Sequence, residues 1–145
     1  MTQALFHLAF PIHDMAAAKQ FYVDGLGCSL GRQTASAMVL GLYGHQIVAH
    51  VGELLPPQQG IYPRHFGLVF PNLADWDALC ARAKEQGLTF YQQPRRRFEG
   101  TRLDHHTFFL IDPSNNLLEF KHYVHESAIF GDADQKMLGD AVAHR

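Results

Sequence analysis

An α+β fold is what the sequence predicts, made of two successive halves that each run strand, helix and three strands. Three observations carry this. A short alternating apolar stretch is followed by a helical pattern twice, at "LFHLAF" then "MAAAKQFYVDGLG", and again at "RHFGLVF" then "LADWDALCARAKEQG". Each helical pattern is followed by three strand-like runs set apart by glycine, proline or asparagine. Between the two copies lies "GELLPPQQGIYP", a proline- and glycine-rich linker.

In the first half, "LFHLAF" reads as a strand that Pro11 ends. Asp14 caps one helix in which Met15, Ala18, Phe21, Tyr22 and Leu26 recur at helical spacing, with Gly25 or Gly27 as the stop. "CSLGRQ", "SAMVLGLY" and "QIVAHV" are the three strands after it. In the second half Pro71 ends "RHFGLVF", Gly87 closes the helix, and "TFYQQP", "HTFFLI" and "LLEFKHY" follow, the last after the turn signal "DPSNN". One domain over 1–124 is expected, with module one about 3–53, a linker about 54–61 and module two about 62–124. The tail 125–145 is expected to be partly helical. Neither half alone is large enough to bury its sheet, so the halves are expected to share a core, with a ligand cleft between them.

The chain has 145 residues, 47% of them hydrophobic, which is enough for one core. A formal net charge of -2 gives no footprint for nucleic acid or an anionic membrane surface. Cys28 and Cys80 are the two cysteines and form no CxxC, which argues against a disulfide framework or a thiolate metal site and for a cytoplasmic setting. The N-terminal apolar run is broken by His7, Pro11, His13 and Asp14, so neither a signal peptide nor a membrane span is read there. Ten scattered histidines are the compositional anomaly.

Strand parity sorts them. Phe6, Leu8 and Phe10 share one face of the first strand, and His7 shares the other with Leu5 and Ala9. His65 shares its face with Gly67 and Val69, opposite Phe66, Leu68 and Phe70, and Glu119 lies opposite Leu118 and Phe120. Two imidazoles and one carboxylate from different strands make a facial ligand set for a divalent first-row ion, leaving open positions for substrate or water. Taken singly, each is more readily a structural residue, His7 and His65 as hydrogen-bonded core histidines and Glu119 as a solvent-facing strand residue. Occurring together, at matching places in a repeat, they favour the metal.

"FHLAFPIHDMAAAKQFYVDGLGCSLG", "RHFGLVF" and "FLIDPSNNLLEFKHY" resemble the opening strand and helix, the second opening strand and the closing ligand strand of the vicinal oxygen chelate superfamily. That superfamily includes glyoxalases, fosfomycin- and bleomycin-resistance proteins and extradiol dioxygenases, and the resemblance covers about residues 4–124. It implies tandem βαβββ modules forming an open, curled mixed sheet barrel around a metal cavity, with His7, His65 and Glu119 at the ligand positions. Matching "GHQIVAHV" to "NNLLEFKH" sets Val48 where a fourth ligand would stand.

Three ligands with open positions resemble the dioxygenase and fosfomycin-type members more than a four-ligand glyoxalase. The resemblance thus implies an extradiol-type dioxygenase for a small catecholic or other bidentate oxygen substrate. Its cofactor would be one divalent ion, Fe(II) favoured over Mn(II), Ni(II) or Zn(II). His50 is the first candidate for acid–base work and His106 the second, with a structural role for His50 left open. Tyr123 and Arg102 are the candidate substrate-binding residues, and the arginine run "PRRRF" is either an anion holder or a solvated loop. "HHTFFLI" lacks the tyrosine that extradiol enzymes usually carry upstream of the ligand glutamate.

The alternatives are a glyoxalase-like lyase or isomerase, for which Glu53 is the nearest second carboxylate, and a sequestering protein of the bleomycin-resistance type. Partners are expected to be a small molecule and a second copy in a homodimer, with no nucleic acid and no membrane. His122 is assigned to structure by parity, and His13 to a surface turn.

Overall fold

The structure, a computed structural model, describes residues 2–139. Its elements are β1 (His7–Ile12), α1 (Met15–Lys19) with a π-helical continuation (Gln20–Gly25), β2 (Ser29–Gln33), β3 (Ala37–Leu42), β4 (His45–Val51), β5 (Phe66–Val69), α2 (Leu73–Glu85), β6 (Phe90–Arg97), β7 (His105–Ile111), β8 (Leu117–Tyr123) and α3 (Ser127–Phe130). The class is α+β, and each half contributes one mixed four-stranded sheet, ordered β1-β4-β3-β2 and β5-β8-β7-β6. Among the described residues no helix is long and apolar enough to cross a membrane.

Two compact units interleave along the chain. Among the described residues, the first holds 2–57, 81–89 and 111–116, and the second holds 58–80, 90–110 and 117–139.

In the first unit β1 pairs in parallel with β4, and β3 is antiparallel to both β4 and β2. Phe10 and Ile12 are buried while His7, Ala9 and Pro11 are exposed, so the alternation read from sequence is the alternation of the strand. Pro11 does not end β1, as its sequence position suggested. The strand runs through it to Ile12, because β1 is the edge of its sheet and proline's missing N–H breaks no ladder on the open side.

The helix also differs from the single run expected. Asp14 does cap it, its carboxylate accepting from the Ala17 N–H at 2.9 Å. After Lys19, however, it widens to π-helical turns, in which Leu26 N–H reaches the Phe21 carbonyl at 2.9 Å. Arg82 donates to the carbonyls of Gly25 and Asp24 at 2.8 and 2.9 Å, satisfying groups that a helix end leaves without partners. Gly27 turns the chain out of the helix at φ +82°, a conformation that costs glycine nothing.

"DPSNN" is organised by Asp112. One carboxylate oxygen accepts from the N–H groups of Ser114 and Asn116, and the other from the Asn116 amide and, at 2.7 Å, from the buried Tyr22 hydroxyl. Burial and then Asp112 push the Tyr22 pKa well above 10.0, so the phenol stays a donor. Tyr22→Phe is expected to cost about 2 kcal/mol, the range for a buried hydrogen bond to a charged group, read as a lower urea midpoint at unchanged m-value.

In the second unit β5 is parallel to β8 and β6 antiparallel to β7. Phe108, Leu110, Leu118 and Phe120 are fully buried. Trp76 of α2 closes this core, its indole N–H donating to the Phe120 carbonyl at 2.8 Å and its ring 5.5 Å from Phe108. The tail contributes the short α3 and an irregular run to Gly139. Residues 140–145, with His144, lie outside the described residues.

Candidate metal centre and substrate cavity

A cavity of about 670 Å³ opens in the second unit, within the range for small-molecule sites. His65, Thr107, Glu119, Lys121 and Tyr123 line it, and residues 128–133 and 135–139 of the tail form part of its wall. Parity places these groups together. Glu119, Lys121 and Tyr123 alternate along β8, His105, Thr107 and Phe109 along β7, and Arg95 and Arg97 along β6.

His65 Nε2 lies 3.1 Å from Glu119 Oε1. The far sides of both groups are fixed. His65 Nδ1 donates to the Ile61 carbonyl at 2.7 Å, and Glu119 Oε2 accepts from the Thr107 hydroxyl at 2.6 Å. A carbonyl only accepts, so Nδ1 carries its proton and Nε2 is the coordinating nitrogen once His65 is neutral. Phe109 stands edge-on to the His65 ring, with centroids 5.0 Å apart.

The Glu119 hydrogen bond raises the His65 pKa above 6.5, against burial. Burial acts to raise the Glu119 pKa, but His65, Lys121 and Thr107 together outweigh it and hold the carboxyl below 4.5. Lys121 Nζ is 3.8 Å from Glu119 Oε1 and donates to the Tyr123 hydroxyl at 3.0 Å. Burial disfavours its charge, but Glu119 and Tyr123 prevail and raise its pKa.

The residues present suit a divalent first-row ion. Two donors 3.1 Å apart match adjacent ligands on a metal with bonds of ~2.0–2.2 Å, and each carries a supporting partner on its other atom. Among the described residues no group of three His, Cys, Asp or Glu side chains is gathered. His7 belongs to the first unit, on the exposed face of β1. Its Nδ1 faces Gln46 Oε1 at 2.7 Å, an acceptor, so its Nε2 is left as a coordinating atom in the manner of His65.

The strand registers also agree between halves. Ala9 is opposite Val48 and Gly67 is opposite Glu119, with His7 and His65 each two residues earlier, so Val48 occupies the counterpart of the Glu119 position.

The remaining candidates sort by position. Tyr123 lines the cavity. His50 is exposed on β4, opposite Pro11, on the sheet face that carries His7. His106 points away from the cavity and packs between Trp76 and His122, with centroids 5.4 and 6.1 Å away. His122 is held by the Phe70 carbonyl at 2.8 Å. Arg102 is taken up by Asp134 at 2.6 Å and Asp132 at 3.4 Å.

Sequence reasoning missed His105 and Lys121. His105 Nδ1 donates to the Leu103 carbonyl at 2.8 Å, and burial, helped by Lys121 and Arg97, pulls its pKa below 6.5. Its Nε2 is therefore a neutral acceptor near pH 7. No sequence signal set it above His106, because which face of β7 meets the cavity is fixed by the Thr107–Glu119 bond. For Lys121 the signal was the shared face with Glu119, the same parity that selected Tyr123.

Because His65 must shed a proton to coordinate, metal uptake is expected to weaken as pH falls through its raised pKa, by about tenfold per pH unit. The loss sets in at a higher pH than for an ordinary histidine. Titration calorimetry over pH 5–8, which also reads the released proton, measures it.

A family model described as Glyoxalase/Bleomycin resistance protein/Dioxygenase superfamily matches residues 4–120. Among solved structures, a glyoxalase/bleomycin resistance protein/dioxygenase from Alicyclobacillus acidocaldarius is 44% identical with TM-score 0.83, over 88% of this chain and 96% of that one. The fosfomycin resistance protein FosX from Listeria monocytogenes is 17% identical with TM-score 0.67, over 88% and 99%. FosX from Mesorhizobium loti is 17% identical with TM-score 0.62, over 84% and 93%. At these low identities the two FosX likenesses show the fold alone. No curated protein matches.

Proposed function

The chain belongs to the glyoxalase/bleomycin resistance protein/dioxygenase superfamily, and on that premise we propose that it is a divalent-metal-dependent dioxygenase of the extradiol type, acting on a small catecholic or other bidentate oxygen substrate. The observation that carries this reading is the His65–Glu119 pair, 3.1 Å apart in a cavity and fixed from behind by Ile61 and Thr107. His7 is the third ligand in this reading, with its ring set by Gln46. An ion held there supplies a template for two vicinal oxygens and, as Fe(II), the favoured metal, a redox centre for dioxygen.

The chain's own groups do the rest. His105, neutral and on the cavity wall, takes the phenolic proton at Nε2, the role first assigned to His50 and then His106. His50, on the His7 face, serves as a supporting group. Tyr123 and Phe109 give the substrate ring an aromatic wall. Valine at the counterpart of Glu119 disfavours the glyoxalase-type alternative, which needs a second carboxylate on that face.

A homodimer is proposed as the working form. Leu5 and Phe6, 66% and 59% exposed beside His7, are an apolar edge that a second copy would cover. A cytoplasmic setting is proposed on the low cysteine content, Cys28 and Cys80 forming no CxxC.

Oxygen consumption by the Fe(II)-loaded protein with catechol tests the activity. Uptake with ring opening is expected. Isomerisation of a hemithioacetal by the Ni(II) or Zn(II) form without oxygen uptake would replace the dioxygenase reading with the lyase one, and ligand binding without metal retention would favour sequestration.

A further inference from the structure

The charge of the cavity runs against that of the chain. The chain carries a formal -2, yet the cavity wall holds Arg95, Arg97, Lys121 and Lys136 against Glu119 and Asp132. Asp132 is engaged by Arg102. Strand alternation separates the three consecutive arginines: Arg96 turns away to grip Asp104 through two bonds of 2.8 and 2.7 Å, while Arg95 and Arg97 stay on the wall. Arg97 is paired in register with His105 on the neighbouring strand, and Lys121 lies 3.8 Å from the glutamate of the ligand pair.

From this arrangement we infer that the cavity selects substrates bearing an oxyanion, a carboxylate or a phosphate, held by Lys121 and Arg97 beside the oxygens presented to the His65–Glu119 pair. The inference rests on the proposed function for where the substrate's other oxygens go, and names the substrate class that reading leaves open.

Cations set partly into a cavity wall, as Lys121 is at 28% side-chain exposure, lose less of an anion's attraction to solvent than fully exposed lysines do. Lys121 is oriented for this by the Tyr123 hydroxyl, and the Arg97 guanidinium lies 4.7 Å over the Phe98 ring, which fixes its plane. Wall groups able to reach an oxyanion thus include fixed donors and a flat aromatic side, a combination suited to a small aromatic acid or phosphate ester. Arg102, the arginine favoured from sequence, is paired with two tail carboxylates at 2.6 and 3.4 Å, whereas Arg97 reaches the tail by donating to the Gly139 carbonyl at 3.4 Å.

The test uses the metal-free full chain, so that no chelation contributes. Benzoate, phenyl phosphate and the neutral benzyl alcohol are titrated by calorimetry at low salt. At least one anion is expected to bind at least tenfold more tightly than benzyl alcohol, and the two anion arms tell carboxylate from phosphate. That preference should shrink as salt rises. Lys121→Gln and Arg97→Gln should each remove at least fivefold of it, with fold confirmed by circular dichroism, while Lys19→Gln on the other unit should leave it unchanged.

Equal binding of the anions and benzyl alcohol would overturn the inference, as would a preference that survives in the folded Lys121→Gln, Arg97→Gln double variant. Should the double variant not fold, a preference insensitive to salt in the wild-type chain would overturn it equally. Absence of oxygen uptake with catechol would sink the dioxygenase reading and leave this result standing, so the two failures are distinguishable.

Discussion

Glu119→Ala is expected to lower divalent-metal affinity by at least about 100-fold, since losing even a partner that only supports a ligand costs about 10–100-fold. The variant also leaves His65 Nε2 and the Thr107 hydroxyl without their shared acceptor in a buried place. The metal-free protein should accordingly lose about 2 kcal/mol of stability. Glu119→Gln separates the two effects. Its amide oxygen still accepts from Thr107 and its amide group still donates to a neutral His65, so stability should stay within about 1 kcal/mol of wild type while metal affinity falls nearly as far. Equilibrium dialysis and urea denaturation of both variants read the outcome.

Gly67→Ala is expected to have the largest effect on the fold around the site. Gly67 pairs with Glu119 across β5 and β8, and a Cβ there would overlap the Glu119 backbone carbonyl. Backbone cannot swing aside as a side-chain tip can, so β5 must part from β8, carrying His65 away from Glu119. A cost of about 3 kcal/mol is expected, with loss of metal retention alongside it. Gly41→Ala is the comparison: its added Cβ meets only the Ser29 hydroxyl, a side chain able to rotate, so a smaller loss of stability and unchanged metal binding are expected.

Gly67 also shows what sequence could and could not tell. Parity places it on the His65 face, but the reason a glycine stands there is the close approach of two backbones, which no local pattern reveals. Period-two alternation placed His7 opposite the buried Phe10, because parity is a property of the strand itself.

Pro11 misled because whether a proline ends a strand depends on the strand's place in the sheet, and β1 turned out to be an edge. The assignment of His106 over His105 turned on which face of β7 meets the cavity. That face is fixed by the Thr107–Glu119 bond and the pairing of Arg97 with His105, contacts between residues far apart in sequence. Arg102 looked available because its partners, Asp132 and Asp134, come from the tail thirty residues later. The interleaving of the two compact units likewise depends on residues 81–89 and 111–116 joining the first unit through partners such as Tyr22 and Gly25.

We propose that His65 and Glu119, with His7 as the third ligand, hold a catalytic divalent ion. Crystals grown with Fe(II) under anaerobic conditions, measured on both sides of the iron absorption edge, test it most directly. One anomalous peak per chain is expected, ~2.0–2.2 Å from His65 Nε2 and Glu119 Oε1. No peak at the His65–Glu119 pair under metal-replete conditions would contradict it.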